Sequence, residues 1–228
     1  MKTINLKYDI SKTTAPKMPK LGKGTECVQL LLSQVSKDMH EPLVPMFFPI
    51  LGAQVSESEF QYPDLSWKEL CGMMGNLVAD SGCNKGQLSN IVEAICHNMR
   101  EHDNTELEKL VEWQKQMKMK SANKEKPARP DVSFWFPPAD VTNAAFIQNA
   151  MACEKLGERT QYLNLPEVEM ADRMCGGHKQ ISQMLRNIYD RQRSGALRAT
   201  VEGVTGNPVL RANLTISSTP YAARKFYK

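Results

Sequence analysis

Residues 73–88 read Met73-Met74-Gly75-Asn76-Leu77-Val78-Ala79-Asp80-Ser81-Gly82-Cys83-Asn84-Lys85-Gly86-Gln87-Leu88, and the interpretation of the whole chain depends on them. An apolar run ends in a turn of small residues, one lysine follows, and a helical pattern begins at once. This order of strand, tight loop, lysine and helix forms the phosphate-binding arrangement of nucleotide-binding proteins. The loop departs from the pattern G-x-x-x-x-G-K-[ST], because Ala79, Asn84 and Gly86 stand where two glycines and a hydroxyl would be.

The loop still carries the groups that a phosphate needs. Gly82 and Gly86 supply flexibility, Lys85 supplies a cation, and a helix over 85–100 would present backbone N–H groups. Asparagine, present at 84, is the mildest replacement for a glycine at positive φ. The missing hydroxyl at 86, in contrast, removes a usual Mg²⁺ ligand, and Ser81 or a water could take its place. The alternative is an ordinary strand-to-helix turn. The candidate cofactor-binding residues are Ser81, Gly82, Cys83, Asn84, Lys85, Gly86 and Gln87.

Strands and helices alternate around this stretch. Hydrophobic periodicity predicts strands at 73–79, 132–136 and 161–165, and helices at 85–100, at 104–120, from Thr142 or Asn143, and through 181–189. Alternation of this kind predicts an α/β fold with a three-layer, mainly parallel sheet. Elsewhere we expect a helix from Thr25, a buried turn with a short helix in the proline-cut run 42–51, a strand at 60–62, and a hairpin formed by 196–201 and the residues from Val209 onward.

Polar residues follow two further predicted strands. Ligands of open parallel sheets bind at the carboxyl ends of the strands. Glu167, after the strand 161–165, could hold the Mg²⁺ shell, and Glu169 could activate water, or both could cap the positive end of the next helix. Ser218 and Thr219 could sense a terminal phosphate, or could form a turn before Pro220. The candidate catalytic residues are Glu167, Glu169, Ser218 and Thr219, with Glu167 also the candidate metal ligand.

Composition limits the classes of protein to which the chain could belong. It has 228 residues, 41% hydrophobic and 24% charged, with a net charge of +4 and a pI near 8.7. These values are those of a globular protein, and they permit a nucleic-acid partner without requiring one. No apolar run approaches the length of a membrane span, no signal peptide is evident, and the six cysteines contain no C-x-x-C pair. We therefore expect a cytoplasmic protein with buried free thiols and no membrane association.

Two basic segments are candidates for DNA contact. Residues 115–129 contain six basic residues and one acid, and Arg186, Arg191, Arg193 and Arg198 cluster beside the predicted hairpin. Both could follow a phosphate backbone, or could be solvated surface. Cys175 and His178 have no partner pair nearby, which argues against a zinc site. The predicted organisation is a flexible basic arm at 1–23, a helical extension at 24–62 and a core at 63–228.

Four segments together carry a resemblance to a known family: 78–87, 130–142, 163–167 and 217–220. They resemble successive motifs of the RecA-like P-loop ATPase domain of unknown function from primase- and helicase-like proteins of bacterial mobile elements, which occur beside virulence-protein-E-like primases. The resemblance covers roughly residues 40–228, and the order and spacing of the motifs carry it.

The resemblance implies a RecA-like P-loop NTPase core that binds ATP and Mg²⁺ and works on DNA, as a helicase or primase-helicase does. It implies that Lys85 is the P-loop lysine, Glu167 the acidic strand end, and Ser218 or Thr219 the sensor, with a homo-oligomer as a further expectation. Asn84 and Gly86 would impair hydrolysis, and such cores normally continue beyond the sensor strand, so the core is expected to be C-terminally incomplete. The alternative is a non-catalytic module of the same fold that binds nucleotide or DNA.

Overall fold

Three parallel strands form the centre of the fold in the computed structural model, which describes residues 20, 22–56, 58–61, 63–64, 66, 69–70, 72–119, 126–157, 159–175, 181–195 and 204–227. The arm up to residue 19, the first arm of the predicted hairpin, His178 and Arg198 lie outside the described residues. The strands are β1 (Glu59–Phe60), β2 (Glu69–Leu70), β3 (Met74–Val78), β4 (Gln161–Leu165) and β5 (Ala212–Ser218). The helices are α1 (Glu26–Ser33), α2 (His40–Gln54), α3 (Gly86–Ile95), α4 (His97–Met119), α5 (Asn143–Leu156), α6 (Val168–Cys175), α7 (Ile181–Tyr189) and α8 (Pro220–Phe226).

The last strand of the chain lies in the middle of the sheet. The order is β3-β5-β4, with Val78 opposite Ser218 and Leu165 opposite Ile216, while β1 and β2 form a separate antiparallel pair. Every residue of β5 is buried, as expected for a central strand covered on both faces. The predicted hairpin arm from Val209 is therefore wrong. Val209 makes only an isolated antiparallel bridge with Arg193, and the strand that follows pairs in parallel.

Helices cover both faces of the sheet, so the α/β prediction is confirmed. Neighbouring side chains of a strand point to opposite faces. On β4, Leu163 and Leu165 join a core with α5, α6 and α7, whereas Tyr162 joins a second core with α1, α2 and α3. Because the second core holds α1 and α2 together with the sheet, the N-terminal helices and the sheet share one apolar interior. Among the described residues, none of the helices combines the length and apolar composition needed to span a bilayer.

The proline-cut run 42–51 lies within one helix, which corrects the expected turn and short helix. Helix α2 continues through Pro45 and Pro49 despite the two missing backbone donors. The amide of Asn213, on β5, bridges this helix to the sheet. Its Nδ2 donates to the Pro49 carbonyl (3.0 Å), and its Oδ1 accepts from the Met73 backbone N–H (3.1 Å). Tertiary contacts with the sheet therefore stabilise α2 where the local sequence opposes a helix.

Gly52 allows helix α2 to lie this close to Asn213, and we predict that a larger residue at position 52 destabilises the fold. A Cβ at Gly52 would lie 2.9 Å from Asn213 Nδ2 and 3.3 Å from Met73 Sδ. We expect Gly52→Ala to lower the free energy of unfolding by about 1–3 kcal/mol in urea denaturation, because the crowded Asn213 amide is held by its own hydrogen bonds. Gly86→Ala is the matched control, since a Cβ there meets nothing within 4 Å. Equal effects of the two substitutions would contradict this packing.

The predicted strand 132–136 is not a strand, because side chains rather than a neighbouring strand bind most of its backbone. Asp103 accepts from the backbone N–H groups of Trp135 (2.7 Å) and Phe136 (2.8 Å). Asn149 accepts from the Phe134 N–H and donates to the Phe134 carbonyl, both at 2.8 Å. A single backbone bond, from the N–H of Tyr162 to the Trp135 carbonyl (2.8 Å), joins this segment to β4. The residues are extended but form no ladder.

The two helices predicted at 85–100 and 104–120 have different boundaries in the structure. Helix α3 ends at Ile95, and α4 runs without interruption from His97 to Met119, so Asn104 and Thr105 lie inside it rather than at its start. Helices α6 and α8, which the periodicity did not single out, begin immediately after β4 and β5.

Candidate functional site

A cavity of about 550 Å³ lies at the carboxyl ends of β3, β4 and β5. Helices α3, α6 and α8 begin there, because each follows one of these strands. All of the candidate residues except Gln87 line this cavity, together with Pro166 and Ala222. Gln87 instead turns toward Ser36, whose backbone N–H donates to Gln87 Oε1 (3.0 Å). The topology therefore gathers three segments that are far apart in sequence.

The loop after β3 adopts the backbone conformation that glycines would favour. Gly82 has a φ of +85° and Asn84 a φ of +53°. Asparagine tolerates the left-handed region better than most residues, so Asn84 replaces a glycine there without changing the path of the chain. A Cβ at Gly86 would meet nothing within 4 Å, so packing does not require glycine at that position.

Lys85 folds back over the loop. Its Nζ donates to the carbonyls of Ala79 (2.6 Å) and Asp80 (2.8 Å), which are the first residues after β3. These are its only partners within the described part of the chain. An ammonium group has three donors, so at least one remains for a ligand. The lysine thus lines the cavity, and no carboxylate of the described residues pairs with it.

Several backbone N–H groups of the loop after β3 have no hydrogen-bond acceptor among the described residues. The N–H of Cys83 makes a long turn contact with the Asp80 carbonyl (3.4 Å), and the first hydrogen bonds of α3 begin with Gln87. Within the described residues, we find no acceptor for the N–H groups of Gly82, Asn84, Lys85 and Gly86. Unpaired N–H groups at a helix N-terminus, with the helix dipole behind them, attract anions.

The two glutamates lie at the start of α6. The Glu167 carbonyl accepts from the Met170 N–H (3.1 Å), and Glu169 lies in the first turn of the helix. Both side chains are exposed, and neither carboxylate has a hydrogen-bond or ionic partner in the described part of the chain. Among the described residues, the two carboxylates therefore make no capping hydrogen bond to α6. They lie at its N-terminus, where the helix dipole favours negative charge, and they also line the cavity.

Ser218 and Thr219 differ in what their hydroxyls do. Thr219 Oγ1 accepts from the Ala222 N–H (3.3 Å) and caps α8, so its hydroxyl already has a partner. Ser218 Oγ is buried and has no hydrogen-bond partner among the described residues. Buried polar groups are nearly always hydrogen-bonded, so an unpaired hydroxyl beside a cavity points to a ligand or an ordered water.

The site offers few ligands for a metal ion. Among the described residues, no group of three or more histidine, cysteine, aspartate or glutamate side chains is arranged to hold a metal. Mg²⁺ is usually bound by one or two carboxylates together with waters and the phosphates of a nucleotide. Glu167 and Glu169 therefore fit Mg²⁺ only when phosphates complete the shell. Cys175 is buried, and burial raises its thiol pKa to about 12, which disfavours a thiolate ligand.

The two basic segments differ in how they use their charge. In the first, Lys115, Lys118, Lys126 and Arg129 are exposed and have no carboxylate partner within the described residues. In the second, Arg193 pairs with Glu154 (3.1 Å), and Arg191 donates to Asn213 Oδ1 (2.9 Å). Both arginines are bound to other side chains of the protein, so the first segment has the freer charge.

Periodicity missed a second cavity, between α4, residues 129–142 and α5. In the sequence, the only indication of this cavity was the run Phe134-Trp135-Phe136-Pro137-Pro138. Its first three residues were interpreted as the end of a strand, and its prolines as the stop of that strand. No protein-family model, curated protein or solved structure shows a significant match to this chain. The argument for function therefore depends on the geometry of the sites.

Proposed function

We propose that the chain is the nucleotide-binding, ATPase-like core of a mobile-element DNA helicase or primase-helicase with a RecA-like P-loop fold. One observation carries the proposal. Lys85, Glu167 and Ser218 line one cavity at the ends of three adjacent parallel strands, and within the described residues Lys85 has no counter-ion and the Ser218 hydroxyl has no partner. A triphosphate presents the complementary groups, which are anionic oxygens and a place for a divalent cation.

Each group has a role in this proposal. The loop N–H groups and Lys85 bind the phosphates, and Ser218 donates to an oxygen of the terminal phosphate. Glu167 would hold Mg²⁺, which would supply positive charge against the phosphate oxygens. In hydrolysis, the oxygen of a water molecule bonds to the terminal phosphorus while the bond to the bridging oxygen breaks. Glu169 accepts the proton of the water, and ADP and phosphate are the products.

Thermal melting tests nucleotide binding. A ligand at 100 times its dissociation constant stabilises the folded state by about 2.7 kcal/mol, which would raise the melting temperature by roughly 5–10 °C for a chain of this size. We expect that rise with Mg·ATP and not with Mg²⁺ plus adenosine, because adenosine lacks the phosphates. An unchanged melting temperature with millimolar Mg·ATP would exclude this function.

Cys83 provides an independent reporter of the same site. Cys83 and Cys27 are exposed, whereas burial raises the thiol pKa of Cys96 and Cys153 to about 12. We expect maleimide at pH 7.5 to label Cys83 and Cys27 much faster than the buried thiols, as site-resolved mass spectrometry would measure. Mg·ATP should then slow labelling at Cys83 alone, with Cys27 as the internal control. Equal labelling of Cys83 with and without nucleotide would count against binding at the loop.

A second candidate function is nucleotide binding without hydrolysis, and Gly86 favours it because no hydroxyl is present there to ligate Mg²⁺. Phosphate release by the parent protein distinguishes the two. Gly86→Ser should raise the rate of release if the missing hydroxyl limits hydrolysis, because there is space for the side chain. A variant that binds Mg·ATP and still releases no phosphate would favour a purely binding role.

We further propose DNA as the macromolecular partner, homo-oligomeric assembly and a cytoplasmic location. The exposed cations Lys115, Lys118, Lys126 and Arg129, which have no carboxylate partner among the described residues, support the first. The scattered cysteines and the lack, among the described helices, of one able to span a membrane are compatible with the last. Size-exclusion chromatography with light scattering, with and without Mg·ATP, tests assembly.

A further inference from the structure

The second cavity has about 430 Å³ and shares no lining residue with the cavity at the strand ends. Its walls are mostly apolar, with Leu107 and Leu110 from α4 and Phe134, Pro137 and Val141 from the segment before α5. Leu107 is half exposed, and Phe134 is only partly buried. Small-molecule and base-binding cavities have this size and lining.

Some polar side chains that line this cavity are hydrogen-bonded or ion-paired within the protein, and others have no partner among the described residues. Arg100 is bound to Glu93 (2.8 Å) and to the Phe136 carbonyl (3.3 Å), Asp103 holds two backbone N–H groups, and Asp140 pairs with Arg173. The side-chain amides of Asn104 and Gln148 have no partner within the described residues. An amide offers both a donor and acceptor, which matches the edge of an unpaired nucleobase.

Free positive charge flanks the cavity on one side. Arg129 lines it and lies over the Trp113 ring at 5.9 Å, while Trp113 Nε1 donates to the Pro127 carbonyl (3.0 Å), so residues 127–129 pack along α4. Lys126 precedes this segment. A shallow groove along α4, which shares Asn104 and Leu107 with the cavity, is lined by Glu108, Glu112 and Lys115, and its net negative charge would repel phosphates. The charges therefore favour an anionic chain that leaves the cavity past Arg129 and Lys126.

We propose that this cavity receives an unpaired base of single-stranded nucleic acid, with Phe134 as the stacking surface and Arg129 and Lys126 along the phosphates. Bases of a duplex are paired and stacked, and so cannot enter, whereas a single strand exposes both the face and the edge of each base. The inference rests on the DNA-linked part of the proposed function and is independent of nucleotide binding at the strand ends.

Fluorescence anisotropy with a labelled, mixed-sequence DNA oligonucleotide of about 20 nucleotides tests this inference, in low salt and without nucleotide. We expect the single strand to bind more tightly than the duplex of the same sequence. Phe134→Leu, which keeps an apolar side chain, should weaken single-strand binding roughly 5- to 100-fold and leave duplex binding unchanged. Gln148→Ala should weaken single-strand binding less. Gln148 is partly exposed and its side chain has no partner among the described residues, so this variant should fold normally and shows whether the cavity binds DNA even if Phe134→Leu misfolds.

Arg129→Ala should weaken the binding of both forms of DNA and reduce the magnitude of the salt slope for the single strand by about 0.7. Lys37→Ala should do neither, because Lys37 is exposed and does not line the cavity. An RNA strand of the same sequence tests whether the sugar matters. Two results would overturn the inference: no binding of either strand in low salt, or single-strand binding that neither Phe134→Leu nor Gln148→Ala weakens. Because the assay contains no nucleotide, its failure is distinguishable from a failed Mg·ATP melt.

Discussion

Lys85→Ala is expected to weaken Mg·ATP binding roughly 10- to 150-fold, the largest effect of any single substitution at the strand-end cavity, because hydrogen bonds to charged groups contribute about 1.5–3 kcal/mol. Lys85 is the cation that lines this cavity among the described residues, and no carboxylate there neutralises it. At 100 times the dissociation constant of the parent, the stabilisation by Mg·ATP should therefore fall from about 2.7 kcal/mol to about 0.3–1.4 kcal/mol, with a correspondingly smaller rise in the melting temperature.

The same substitution also removes two bonds within the loop, to the carbonyls of Ala79 and Asp80. Melting without ligand measures that structural cost separately, and we expect it to be small because both carbonyls can be solvated. Lys118→Ala is the matched control, since this lysine is exposed, has no carboxylate partner among the described residues and does not line the cavity. Equal affinities of the parent and Lys85→Ala would show that nucleotide, if bound, is not bound at this loop.

Asp103→Ala is expected to lower the free energy of unfolding by roughly 2–5 kcal/mol, because it leaves the backbone N–H groups of Trp135 and Phe136 without acceptors. Burial raises the pKa of this carboxyl, while the bonds from Trp135, His102 and Phe136 lower it. Trp135 is also stacked on His102, with ring centroids 3.7 Å apart, so α4 holds Trp135 through its ring as well as its backbone.

Urea denaturation measures this effect, with Glu108→Ala as the control. Glu108 lies on the same helix but is exposed and has no partner in the described part of the chain, so its substitution should change stability by less than about 0.5 kcal/mol. A loss of stability at Asp103 no larger than at Glu108 would show that residues 132–136 do not depend on the carboxylate.

Local signals in the sequence predicted which residues meet at the strand ends better than they predicted the long-range pairing. The loop 81–86 was identified because glycine, asparagine and lysine have specific backbone and charge properties, and the φ of Asn84 confirms the interpretation of that residue. The positions of Glu167 and Ser218 followed from the rule that polar residues at the ends of parallel strands meet at one edge.

The failures have a common physical cause, which is that distant partners decided the local structure. Segment 132–136 has the composition of a strand, but Asp103 and Asn149 bind its backbone. Residues 212–218 alternate as a hairpin arm would, and periodicity does not distinguish an antiparallel neighbour from two parallel ones. Helix α2 contains two internal prolines and is stabilised by a side-chain amide from β5.

The binding of phosphate by the loop after β3 is tested most directly by amide NMR. In ¹⁵N-labelled protein, titration with Mg·ATP should shift the N–H resonances of Gly82, Asn84, Lys85 and Gly86, because these donors have no acceptor in the described part of the free chain. The amide resonance of Gln148, at the second cavity, should stay unchanged. Unchanged loop resonances at millimolar Mg·ATP, or changes confined to other regions, would contradict phosphate binding at this site.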